Sequence, residues 1–181
     1  MQVTEPEPAT PFALADTFGP VGNSLLFVAR IMAWIGGLIF IGLVIMLVIS
    51  IVGRKLFGFV VPGDVEVLQM SAAIASASFF AYCHMHHGDV KVDFFTHNWP
   101  ERVLWAIDAL GSLLVCLFGA LIAWRSAVGA MTLREAHEES MVLAWPVWIA
   151  QALMVLGLAF LAVCGFYMFV HQLRMAQRGR P

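Results

Sequence analysis

The chain has 181 residues, of which 61% are hydrophobic and 12% charged, with a net charge of −2 and a mean hydropathy of +0.85. A soluble domain is about half apolar and a quarter charged, so this composition excludes an ordinary soluble domain and a disordered chain. The missing positive charge also excludes a nucleic-acid binder, which leaves an all-α integral membrane protein with room for roughly four spans.

Residues 1–23 read as a partly disordered tail, because Glu5, Pro6, Glu7, Pro8 and Pro11 cannot start a core. No basic stretch precedes an apolar run here, so the tail is not a signal peptide. A membrane domain is expected over residues 24–171. Its first span is predicted at 25–55, with an uncharged core at 31–52. Arg30 stands at the start of that core, where its long stem reaches headgroups. Arg54 and Lys55 close the other end. Ala29, Ala33 and Gly37 are spaced by four and form a small-residue stripe that another helix can approach.

Pro62 and Gly63 break the chain, and Asp64 is a good N-cap for a second span at 65–83. Asp64 and Glu66 then lie at the positive end of the helix dipole. This span is small on nearly every face, with Ser71 and Ala75 among eight Ser and Ala residues between 71 and 81. Such a helix gains little facing lipid, so it is expected to be wedged in protein on more than one side.

The connector that follows holds His84, His86, His87 and His97. Metal-ligand spacing is poor there, and no metal site is expected. The third span is predicted at 103–124, closed by Trp124 and Arg125 as an interfacial anchor. Asp108 falls two turns from Arg102, which places it at headgroup depth rather than in an ion path. A polar segment at 126–140, whose first part can extend the third helix beyond the bilayer, separates it from the fourth span at 145–170, whose first turn Pro146 can occupy without losing a hydrogen bond. A basic tail at 172–181 follows. Counting only Lys and Arg places both termini in the cytoplasm.

No catalytic residue emerges. G-x-S-x-G, H-E-x-x-H and Walker motifs are all absent, so nothing points to hydrolysis or ATP binding. A haem needs axial His at mid-span, and His84 and His171 stand at span ends. Cys83, Cys116 and Cys164 are far apart and read as packing residues. The competing readings are a membrane anchor subunit of a redox enzyme complex, which would want mid-span His, and a self-sufficient small transporter, which would want internal repeats.

The segments around the connector resemble the small membrane subunit (DctQ-type) of tripartite ATP-independent periplasmic (TRAP) transporters. The residues that carry the resemblance are Gly53-Arg54 with Phe57, then Val61-Pro62-Gly63-Asp64-Val65-Glu66. After the second span come His87-Gly88-Asp89-Val90-Lys91-Val92-Asp93-Phe94-Phe95 and Pro100-Glu101-Arg102, with Leu143 and Pro146 near the fourth span. The resemblance implies a non-catalytic permease subunit of the bacterial inner membrane. Its partners would be the large membrane subunit, a periplasmic substrate-binding protein and membrane lipids. It holds no cofactor itself, and sodium coupling is expected in the large subunit. The transported solute would be an organic acid, such as a carboxylate. Arg54, Asp64, Glu66, Asp93 and Arg102, with the small positions Ala29, Ala33, Gly37, Ser71 and Ala75, are then candidates for subunit-interface or structural roles.

Overall fold

The computed structural model describes residues 19–58, 62–86 and 101–178. Four helices account for nearly all of them: α1 Pro20–Phe57, α2 Asp64–Met85, α3 Glu101–Glu135 and α4 Val147–Arg178. All four are long and apolar enough to cross a membrane. Among the described residues the extended structure is one isolated bridge between Glu139 and Pro146.

Each helix runs past its predicted apolar stretch. α1 starts at Pro20, inside the predicted tail, because Pro is well placed at a first helical position, and the helix tolerates Gly22 there, where it is buried. At 38 residues it is about 57 Å long, nearly twice the roughly 30 Å apolar thickness of a bilayer. α3 continues eleven residues beyond Trp124, because polar residues end the immersion of a helix without ending the helix. α4 runs on through the start of the basic tail to Arg178. Pro146 neither kinks α4 nor enters it; it stands immediately before Val147. Asp64 is the first helical residue of α2, and Gly63, at φ 77°, takes the N-cap position instead.

The helices pack in the order α1–α2–α4–α3, each against its neighbours in that row. In a closed bundle α1 and α3 would also meet; here they are the two ends. α2 therefore has protein on two sides, as its small residues predict. One side meets α1, whose buried residues Gly22, Ala29, Gly36, Leu43 and Ser50 recur every seven positions, a repeat that keeps one face turned inward over many turns; among them Gly36 and Ser50 touch α2 directly. At the crossing a Cβ on Gly36 would come within 3.0 Å of the Ala75 carbonyl oxygen and 3.1 Å of Ser78 Cβ. The stripe predicted through Gly37 is thus offset by one residue. Ala29 is fully buried, whereas a Cβ on Gly37 would meet nothing within 4 Å.

The other side of α2 meets α4, where a Cβ on Gly157 would come within 2.8 Å of Ala77 Cβ. Leu26, Ala29, Ala81, Met85 and Cys164 form a core cluster contributed by α1, α2 and α4. A second cluster joins Ala77, Ala123 and Leu158.

Candidate functional site

The end of the molecule that carries Arg54 is tied together by two carboxylates from the first turn of α2. Asp64 faces α1. Its Oδ2 accepts from the Ser50 hydroxyl at 2.6 Å and from Arg54 Nη2 at 3.3 Å, while Oδ1 accepts from the Val65 N–H at 2.9 Å. Ser50 is completely buried, so Asp64 is the partner that its hydroxyl requires. Arg54 is largely exposed, and its ion pair orients more than it stabilises.

Glu66 faces the other way, onto the α3–α4 connection. Its Oε2 accepts from the Ser140 hydroxyl and from the Leu143 N–H at 3.2 Å, and its Oε1 accepts from the Val142 N–H at 3.0 Å. These backbone donors have no helix or sheet to satisfy them, so one carboxylate does it. Leu143 lies over Gly63, where a Cβ would come within 2.6 Å of its Cγ. Ser140 N–H to Trp145 O at 2.9 Å and Ala144 N–H to Ser140 O at 3.0 Å close the connection on itself. His137 and Ala144 both take positive φ there, at 49° and 51°, an unfavourable backbone held by these contacts. Beside it a cleft of about 640 Å³ is lined by Arg134, Glu135, His137, Glu138, Pro146 and Trp148. The Arg134 guanidinium stands 5.3 Å over the Trp148 ring.

The α3–α4 seam is polar at intervals. Ser112 donates to Gln172 Oε1 at 2.7 Å, both side chains being buried. Gly165 lets the Cys116 backbone approach, with a Cβ placed 3.0 Å from its N. Further along, Gln151 Nε2 donates to the Ser126 carbonyl at 3.1 Å, over the space left by Gly129.

At the other end of α2, His84 is buried and His86 caps the helix, its ring 4.3 Å from that of Tyr82. Burial holds the His86 imidazole below its ordinary pKa, and the nearby Arg30 charge adds to the effect. Among the described residues no group of three or more His, Cys, Asp or Glu is placed to hold a metal ion.

The structure thus joins Arg54 to Asp64, turns Glu66 onto the α3–α4 connection, and buries Ala29 and Ala75. Ser71 and Ala33 are half-buried. Asp93, with His87, His97 and residues 1–18 of the tail predicted at 1–23, lies outside the described residues, as does the side chain of Arg102. Of the cysteines Cys164 is buried and Cys83 exposed, so the packing role predicted for all three does not extend to Cys83 within this chain. Sequence reasoning did not find Ser50, Ser140, Gln172, Gly36 or Gly157. Gln172 falls just past the predicted fourth span, in the basic tail, where a glutamine gives no signal, and its partner stands 60 positions away.

A chain whose four helices are each long and apolar enough to cross a membrane, with polar groups that lock helix to helix, is a multi-pass membrane protein. The family model for tripartite ATP-independent periplasmic transporters, DctQ component, matches residues 43–175, and the chain belongs to that family. It is accordingly a small component of a TRAP transporter, a transport subunit of a generally non-catalytic family that works within a three-part assembly. Searches of curated proteins and of solved structures returned no match.

Proposed function

We propose that this chain pairs with the large membrane subunit as part of its stationary scaffold while that subunit carries out ion-coupled uptake of an organic acid, such as a carboxylate, delivered by a periplasmic binding protein. On this reading the chain resides in the inner membrane with both termini in the cytoplasm. Sodium or another coupling ion, and the solute, are handled by the partner.

The observation that supports this reading most is the open row of helices. α1 carries Trp34 at 75% and Leu38 at 73% exposure, and α3 carries Phe118 and Leu121 at 61% each. A row leaves two broad apolar faces and needs something besides itself to cover them; lipid covers some and a large hydrophobic partner suits the rest. The buried polar groups face one another across helix seams, which gives rigidity and offers no route for a solute.

The test is to tag the chain, extract it gently from its native membrane and identify what remains bound. The expected result is a large multi-span protein in fixed ratio, together with loss of solute uptake when this chain is deleted. Purification with a redox enzyme, or uptake that persists without the chain, overturns the proposal. For the orientation, a reporter after Pro181 that is active only outside the membrane overturns the cytoplasmic placement.

A further inference from the structure

Between α1 and α2 the surface opens into a groove of about 320 Å³, lined by Arg30, Ala33, Trp34, Gly37, Ile41 and Tyr82 among others. Its floor is empty because the chain does not fill it: a Cβ on Gly37 would meet nothing within 4 Å. Trp34 and Ile41 stand along one wall at 75% and 61% exposure. At one end is Arg30, half-buried, at the border of the uncharged run 31–52. The ion pair among the described residues is Arg54–Asp64, near the other end of α1, and no described carboxylate lies within 4.0 Å of Arg30.

We propose that this groove binds one membrane phospholipid, with its phosphate on the Arg30 guanidinium and one acyl chain lying over Ala33 and Gly37 toward Ile41. Two features favour this occupant over a helix of another protein. The first is charge: a guanidinium at headgroup depth with no described carboxylate beside it matches a phosphodiester, with which it makes strong paired hydrogen bonds. The second is length. Helical rise from Arg30 to Ile41 is about 16 Å. One leaflet of the apolar core is about 15 Å deep. The groove therefore fits an acyl chain, which ends at mid-membrane, better than a partner helix, which must cross both leaflets. Trp34 and Tyr82 are the residue types found beside headgroups and glycerol. This site goes beyond the scaffold role and does not depend on which solute is carried.

The experiment uses the full chain with whatever it assembles with, purified in mild detergent and washed free of loosely held lipid. Native mass spectrometry then follows re-addition of phosphatidylglycerol, or of diacylglycerol with the same chains. The wild type is expected to retain one phosphatidylglycerol and to hold diacylglycerol about five-fold more weakly, the worth of one charge contact at the membrane surface. Arg30→Gln lowers phosphatidylglycerol retention about five-fold and leaves diacylglycerol unchanged. Gly37→Leu, whose side chain enters open space and leaves the fold intact, lowers both. Arg125→Gln, on the exposed surface of α3, changes neither. Equal retention in the wild type, Arg30→Gln and Gly37→Leu overturns the proposal. So does a photo-crosslinker at position 37 that captures polypeptide instead of lipid.

Discussion

Replacing Gly157 by alanine should weaken the protein, although alanine is the better helix former. A Cβ at 157 would stand 2.8 Å from Ala77 Cβ and 3.0 Å from both the carbonyl carbon and the oxygen of Ala77. Non-bonded carbons rest about 3.5–4.0 Å apart, so α2 and α4 must part by roughly 1 Å. Two of the three obstructing atoms are backbone and cannot turn aside. Parting the helices also loosens Ala77 from Leu158 and Ala123, with Met154 and Leu161 around them. Overpacking of this kind costs about 1–3 kcal/mol, against a gain of about 1 kcal/mol from helix propensity. Because two of the obstructing atoms are backbone, the cost is expected toward the upper part of that range, for a net loss of up to about 2 kcal/mol. Gly37→Ala and Gly111→Ala meet nothing within 4 Å, so they keep only the gain, about 0.4–1 kcal/mol. Thermal unfolding of the assembled protein in detergent should therefore order the variants Gly157→Ala, wild type, Gly37→Ala from lowest to highest. Adding Ala77→Gly to Gly157→Ala should recover part of the loss, because the backbone atoms of residue 77 remain. A Gly157→Ala protein that melts at or above the wild type would refute the reasoning.

Gly63→Ala should cost more than Gly58→Ala. Both take positive φ, worth about 1–2 kcal/mol to an L residue, but only Gly63 has Leu143 against it; equal melting temperatures would show that Leu143 simply moves. Gln172→Leu should destabilise by about 0.6–1.7 kcal/mol, the range for hydrogen bonds between membrane helices, and the loss should shrink when Ser112→Ala is already present. A double-mutant cycle without coupling would remove the pair from the list of α3–α4 contacts. Glu66→Gln should speed hydrogen exchange at the Val142 and Leu143 amides, since an amide keeps one acceptor where the carboxylate has two. Unchanged exchange at both would mean that Ser140 and its neighbours hold the connection without Glu66.

Four helices and the wedged position of α2 were legible from hydropathy and from residue size. A helix that is small on every face has one sensible place, and α2 occupies it. Helix ends were less legible. Hydropathy reports which residues suit lipid, so it stops at Trp124 while the hydrogen-bonded helix of α3 continues to Glu135. The small-residue stripe of α1 was legible at Ala29, which is fully buried, but the glycine that meets α2 is Gly36 and not the adjacent Gly37, and only the crossing with Ala75 and Ser78 distinguishes them. Arg54, Asp64 and Glu66 stood out as charges at the end of a membrane helix. The partners of Glu66 did not, because Ser140, Val142 and Leu143 are reached from more than 70 positions away and two of them offer only backbone.

The order of the row also dictates how the chain must be put together. α1 and α2 are neighbours in sequence and in space, so they can close as a hairpin as soon as both are inserted. α3 leaves the ribosome next and finds no lasting partner, since its place is at the far end of the row. Only when α4 arrives can the gap between α2 and α3 be filled from both sides. Until then Ser112 and the Cys116 face look onto lipid, and α2 keeps its Ala77 face unclaimed. The last helix synthesised is thus the keystone. A chain stopped before residue 147 should remain a hairpin and a stray helix, which membrane quality control can recognise before a transporter is assembled around them.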